Sequence, residues 1–210
     1  MEPEYKSIEP FIVRYEYDPR RSTQMIEELG YRKGGDGMFD DAAGKPLSIQ
    51  IMATQDDANA KPQFAVLDNW KTIGITPDAE IVTNQRQRDL AYRSNFRNFS
   101  LQAGIGYGPD GMNALLSKEA RTPERNYFGG NYIRWMNPET DTLVERYFTT
   151  IPFDQRMQVL GQLVRFSTDK LLWMPLYWRV LPSLTDNRVT ELSAVGQGQQ
   201  WWNAHLSDLK

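Results

Sequence analysis

From Asp18 to Gly30 the chain reads "DPRRSTQMIEELG". Met25, Ile26 and Leu29 lie behind a capping Asp18 and a first-turn Pro19, and Gly30 follows as a stop, which predicts a helix. After the turn-rich "GGDGMFDDAAGKP", the stretch "PLSIQIM" alternates Leu47, Ile49 and Ile51 on one face, the period of a strand. Between Ala58 and Ile73 the spacing changes. Phe64, Leu67, Trp70 and Ile73 recur every third position, predicting an amphipathic helix closed by Gly74. "AEIVT" (Ala79–Thr83) reads as a second strand, "QRQRDLAYRSNF" as a polar surface helix and "FSLQAGI" (Phe99–Ile105) as a third strand. Downstream, "PETDTLVERYFTT" and "FDQRMQVLGQLVRFSTDK" predict two helices, the second with Met157, Leu160, Leu163 and Val164 on one stripe. "LLWMPLYWRVL" reads as an apolar strand broken by Pro175, and "RVTEL" as a short strand in a polar tail. Strands alternating with helices predict an α/β domain, a mixed, partly parallel sheet flanked by helices.

Composition narrows the chemistry. The 210 residues are 40% hydrophobic and 24% charged, an ordinary globular balance with enough chain for a real core. A net charge of −3 argues against a broad nucleic-acid surface, which needs a basic face. No apolar run approaches the ~20 residues that span a bilayer, and the opening "MEPEYKSIEP" is too acidic and polar for a signal peptide. With no cysteine and only His205 as histidine, thiolate and histidine-rich metal sites are excluded. Asp40–Asp41 lacks the calcium-loop spacing, so no metal is expected there. Aromatics at 12% supply core, and flat faces for a ligand.

The run "GYGPDG", Gly106 to Gly111, fits G-x-G-x-x-G and follows a predicted strand, the setting of a dinucleotide site. Three features count against that use. Pro109 removes a backbone donor that would face a pyrophosphate. The loop follows the third strand rather than the first of its unit. "GGNYIRWMNPET" offers no apolar strand ending in the carboxylate that would hold a ribose about 20 positions on. The P-loop, G-x-S-x-G and H-E-x-x-H patterns are absent, so the expectation is no catalysis and no cofactor.

Six segments in one order resemble a known family. "YEYDPRRSTQMIEELGY" is similar to a Tyr-x-Tyr-Asp-Pro helix start, and "DGMFDDAAGKPLSIQI" to the hairpin and strand after it. "VLDNWKTIGI" resembles a helix ending in Trp-Lys-x-Ile-Gly-Ile, and "NPETDTLVERYFTTIPFDQRMQVLGQL" an Asp-x-Leu and Asp-x-x-x-Arg helix pair. "MPLYW" and "WWNAHLSDL" match the proline-containing strand and one subfamily's terminus. The family is the oligopeptide, dipeptide and nickel group of extracytoplasmic solute-binding proteins of ABC importers. The resemblance runs from about Tyr15 to the end and covers only the C-terminal part of a typical member. It implies a periplasmic-binding-protein-like C-terminal lobe over 15–178, a leading and hinge segment over 1–14, and a return segment over 179–210. A truncated or incomplete chain is therefore expected, without the signal sequence and the N-terminal lobe.

By this resemblance the chain is part of a non-enzymatic, periplasmic or extracytoplasmic binding protein. Its partners are a small solute, such as an oligopeptide or sugar-like compound, and an ABC permease. "LQAGIGYGPDGM" becomes the cleft loop. In the family's peptide binders that loop carries a Trp and, three residues on, an Asp that pairs with the peptide's amino terminus. Here Ile105 and Gly108 stand in those places and Asp110 is the nearest carboxylate, which points away from an ordinary free-amine peptide. Gly106 lets a ligand approach the backbone. Tyr107 offers a flat face with a hydroxyl, or is a packing residue in a turn. Tyr177 and Trp178 are candidates for the hinge side of the cleft; strand alternation turns only one of them toward it. Trp135 is a further candidate, and His205 reads as a packing or surface residue. A lobe severed from its partner also exposes apolar surface, predicting self-association. The alternatives are a nucleotide-dependent enzyme using the 106–111 loop and a stand-alone interaction domain.

Overall fold

The computed structural model describes residues 3–102, 109–177, 186, 188–190 and 208–209. The chain begins with helices α1 (Pro3–Ile8) and α2 (Pro19–Glu28) and a ladder of β1 (Arg32–Lys33) with β2 (Phe39–Asp40). A β/α series follows: β3 (Ser48–Thr54), α3 (Asp57–Thr72), β4 (Thr76–Val82), α4 (Leu90–Ser94) and β5 (Phe99–Leu101). After 3-10 turns come α5 (Pro138–Thr149) and α6 (Phe153–Asp169), then β6 (Val189–Thr190) paired with β7 (Asp208–Leu209). Residues Met1–Leu172 form one compact unit and Trp173–Lys210 a second.

The α/β class holds. In the first unit β3, β4 and β5 form a wholly parallel sheet of order β4-β3-β5, and the antiparallel pairs lie in separate two-stranded ladders. β3 is the central strand, with Gln50, Ile51, Met52 and Ala53 all buried. A strand covered on both faces is buried continuously rather than alternately, so the 47/49/51 alternation describes only part of its burial.

α3 corrects the sequence reading in one respect. Its buried residues are Asn59, Gln63 and Leu67, while Phe64 is 54% exposed. The side chain of Gln63 donates to the backbone carbonyls of Ile51 (2.6 Å) and Glu80 (3.2 Å), tying the helix to both β3 and β4. A hydrophobic count cannot see a buried amide chosen for its donors. Gly74 ends this helix with φ +103, and a Cβ there would stand 2.9 Å from the Gly37 carbonyl, so the closing glycine is required.

In the helical part of the unit α5 packs against α6, and Val144 and Tyr147 of the first and Met157, Leu160 and Leu163 of the second are buried. Asn137 caps α5 by accepting from the N–H groups of Glu139 (2.8 Å) and Thr140 (3.1 Å), and Asp18 caps α2 through Arg21 N–H (2.9 Å). α6 ends in a turn where Leu171 takes φ 51 and the Leu172 N–H bonds the Ser167 carbonyl at 3.0 Å. The described part of the predicted "LLWMPLYWRVL" strand, Leu171–Tyr177, is accordingly not a strand. Residues 178–181 of that stretch lie outside the described residues. Among the described residues, no helix is long and apolar enough to cross a membrane.

Candidate functional site

The strand order locates a crevice. The chain leaves β3, forms β4 on one side through α3, and then returns through α4 to form β5 on the other side. The order therefore reverses between β3 and β5. In open parallel sheets, ligands enter beyond the carboxyl ends of the strands at such a reversal. Ile51, Met52 and Ala53 face Phe99, Ser100 and Leu101 in register, so Thr54 and Gln102 stand side by side one step further on.

On the β3 side, Thr54, Asp56 and Asn59 form one network. The Thr54 hydroxyl donates to Asp56 Oδ2 at 2.5 Å, and the Asn59 amide donates to Thr54 Oγ1 at 2.8 Å and to Asp56 Oδ2 at 3.0 Å. These bonds, the Thr54 hydroxyl first, hold the Asp56 carboxyl below the usual carboxylate value against the opposing effect of desolvation. Asp56 is exposed and precedes the first turn of α3, where a negative charge is favoured. On the β5 side the Gln102 amide donates to Ser100 Oγ at 3.0 Å. The crevice is therefore polar, with one oriented carboxylate. Periodicity reasoning passed over "ATQDDAN" because its meaning depends on which strand becomes the neighbour of β3.

The sequence-chosen residues are placed unevenly. Ile105, Gly106, Tyr107, Gly108, Trp178 and His205 lie outside the described residues, as does the side chain of Asp110. The backbone bracketing the glycine run is described: Gln102 leaves β5 at the crevice, and Pro109–Leu115 forms a 3-10 helix. A dinucleotide fingerprint needs an α-helix N-terminus there, whose aligned N–H groups receive the pyrophosphate. Trp135 is half-buried; its indole N–H donates to Thr140 Oγ1 at 3.0 Å and its ring meets Phe166 edge-on at 5.5 Å. Those contacts pack the segment before α5 onto α6. Tyr177 belongs to the second unit and is 55% exposed. Among the described residues, no cluster of three or more His, Cys, Asp or Glu side chains could hold a metal ion.

The fold, a parallel β4-β3-β5 sheet followed by the α5–α6 pair, is similar to that of part of several periplasmic solute-binding proteins of ABC transporters. The oligopeptide-binding protein of Thermus thermophilus, complexed with a pentapeptide, superimposes with a TM-score of 0.65 at 20% identity, over 85% of this chain and 32% of its own. A mannohexaose-bound periplasmic oligopeptide-binding protein of Thermotoga maritima gives 0.64 at 20% identity, over 84% and 33%. NikZ of Campylobacter jejuni, in complex with Ni(L-His), gives 0.62 at 18% identity, over 75% and 31%. The chain thus spans about a third of the length of these structures. No protein-family model and no curated protein matches it by sequence.

Proposed function

We propose that this chain forms the C-terminal lobe of a solute-binding component of an ABC importer, taking a small extracytoplasmic solute at the β3/β5 crevice. The observation that carries the reading is positional. The strand order reverses beside β5, and the glycine-rich run follows β5 in the sequence, on from the carboxyl end where ligands enter such sheets. The fold shared with proteins crystallised with a peptide, a hexasaccharide and a nickel–histidine complex supports a binding rather than a catalytic role. In this reading Ile105, Gly106, Tyr107, Gly108 and Asp110, which follow β5 in the sequence, are the residues that meet the solute. Lobe closure around the solute presents the surface that a permease reads.

The solute follows from the loop's chemistry. Without a carboxylate at 105–108, a polyol or a blocked peptide fits better than a free-amine peptide. A thermal-shift panel of oligosaccharides, oligopeptides and Ni(L-His) on the complete protein tests this. An oligosaccharide response is expected. No response to any of the three, with stabilisation by a dinucleotide, overturns the binding reading in favour of nucleotide chemistry. The exposed apolar surface of the chain alone also predicts self-association, and a strict monomer in sedimentation removes that part.

A further inference from the structure

Arg121 is buried near a second arginine, and no ion pair among the described residues balances it. Arg121 is 8% exposed, and its Nη1 atom is fully buried with no hydrogen-bond partner. Its Nε donates to the Gly129 carbonyl at 2.8 Å, and the guanidinium lies over the Tyr132 ring, 3.5 Å from the centroid. The side chains acting on it are Tyr132, which favours its charge, and another cation, Arg93, which donates to the Gln87 carbonyl at 3.2 Å. Arg134 donates to the Ser94 carbonyl beside Arg93 and to Asn95 Oδ1 at 3.4 Å. Among the described residues none of the three forms an ion pair.

The backbone carrying Arg121 is closely paired. Ala120 bridges Asn131 in a parallel pairing, and the Asn131 N–H donates to the Glu119 carbonyl at 3.0 Å. Gly129 adopts φ +140, and a Cβ there would come within 2.0 Å of the Glu119 oxygen, so the backbones touch at a point open only to glycine. Arg121 is therefore fixed by a built loop pair. Desolvation is the largest influence and opposes the charged form; Tyr132 offsets it in part, through the charge on its oxygen and a side-chain hydrogen bond, and Arg93 adds to the opposition. A buried guanidinium keeps its proton and needs an anionic partner.

We infer that Arg121, with Arg93 nearby, is a binding site for an oxyanion, a carboxylate or phosphate-type group. Nε is bonded and the Tyr132 ring covers one face of the guanidinium, which directs a forked oxyanion to the remaining Nη edge. The site stands apart from the β3/β5 crevice reading and holds whether or not that reading does. The anion is either a free inorganic ion or an acidic group carried by a bound molecule.

Thermal unfolding of the full chain tests the inference, with ionic strength held constant by chloride. Potassium phosphate is one arm and potassium acetate the other. At tenfold over Kd, a saturable rise of roughly 3–6 °C is expected. A phosphate response alone identifies a free inorganic anion, and an acetate response a carboxylate-bearing ligand. Arg121→Met should abolish the rise while unfolding near or above the parent temperature without anion, because it removes an unpaired buried charge. Arg121→Lys keeps the charge, loses the fork, and should respond more weakly. The inference is overturned if neither anion raises the parent's Tm, or if Arg121→Met responds equally. It is also overturned if both variants unfold many degrees lower without anion, since Arg121 then already has its partner within the chain.

Discussion

The amide of Asn131 is used at both ends. Its Nδ2 donates to the carbonyls of Leu116 (3.1 Å) and Trp135 (2.6 Å), and its Oδ1 accepts from the Trp135 N–H at 3.1 Å. The residue is fully buried, so Asn131→Ala leaves backbone groups without partners and should cost about 2–4 kcal/mol in urea unfolding. A loss under about 1 kcal/mol would show that water replaces the amide. Asp56 makes a pH prediction. Its folded-state value is lowered, so its contribution is complete above the ordinary carboxylate value. That contribution is lost as pH falls below about 4, through the folded value. Asp56→Asn should therefore flatten the acid limb of the Tm–pH curve, and parallel curves for parent and variant contradict the network. At this scale the sequence revealed caps more readily than buried amides. Asp18 announces itself by position before a proline, whereas Gln63 and Asn131 look like any polar residue until their carbonyl partners arrive from distant segments.

Among the elements, α6 shows how neighbours decide what a pattern means. The stripe of Met157, Leu160 and Leu163 is buried as its spacing predicts. Gly161 had no reason in sequence, but a Cβ there would stand 2.5 Å from the Phe11 ring, 150 residues earlier in the chain. Gly161→Ala should therefore destabilise by about 1–3 kcal/mol, despite a helix-propensity gain of about 1 kcal/mol; a more stable variant in denaturant titration rejects that contact. At the end of α6, Leu171 holds a left-handed conformation that favours glycine. Leu171→Gly is expected to stabilise by about 0.5–1 kcal/mol, read from the same titration, and a destabilised variant would mean that Leu171 packing outweighs backbone strain. This turn also explains why an apolar run beginning at Leu171 is not a strand in its described part. The run's hydrophobicity was legible, but the helix terminus consumes its first residues.

For the whole molecule, the division at Leu172/Trp173 predicts that a chain ending at Leu172 keeps a cooperative unfolding transition. Circular dichroism of that shortened chain checks it, and a non-cooperative melt would show that the first unit depends on the second. The amino-acid sequence determined the α/β class, the helices at 19–28, 57–72, 138–149 and 153–169, and three strand cores, because caps, glycine stops and hydrophobic period are local properties. It also carried a family resemblance through motifs in order, which the shared fold matches. Tertiary structure alone decided the β4-β3-β5 order, and with it the crevice beside Thr54 and Gln102. It alone brought Arg121 near Arg93, and Arg134 to the Ser94 carbonyl 40 residues away in the chain. Strand neighbours and buried charges are set by long-range packing, where every burial depends on what covers it, and no local period encodes that choice.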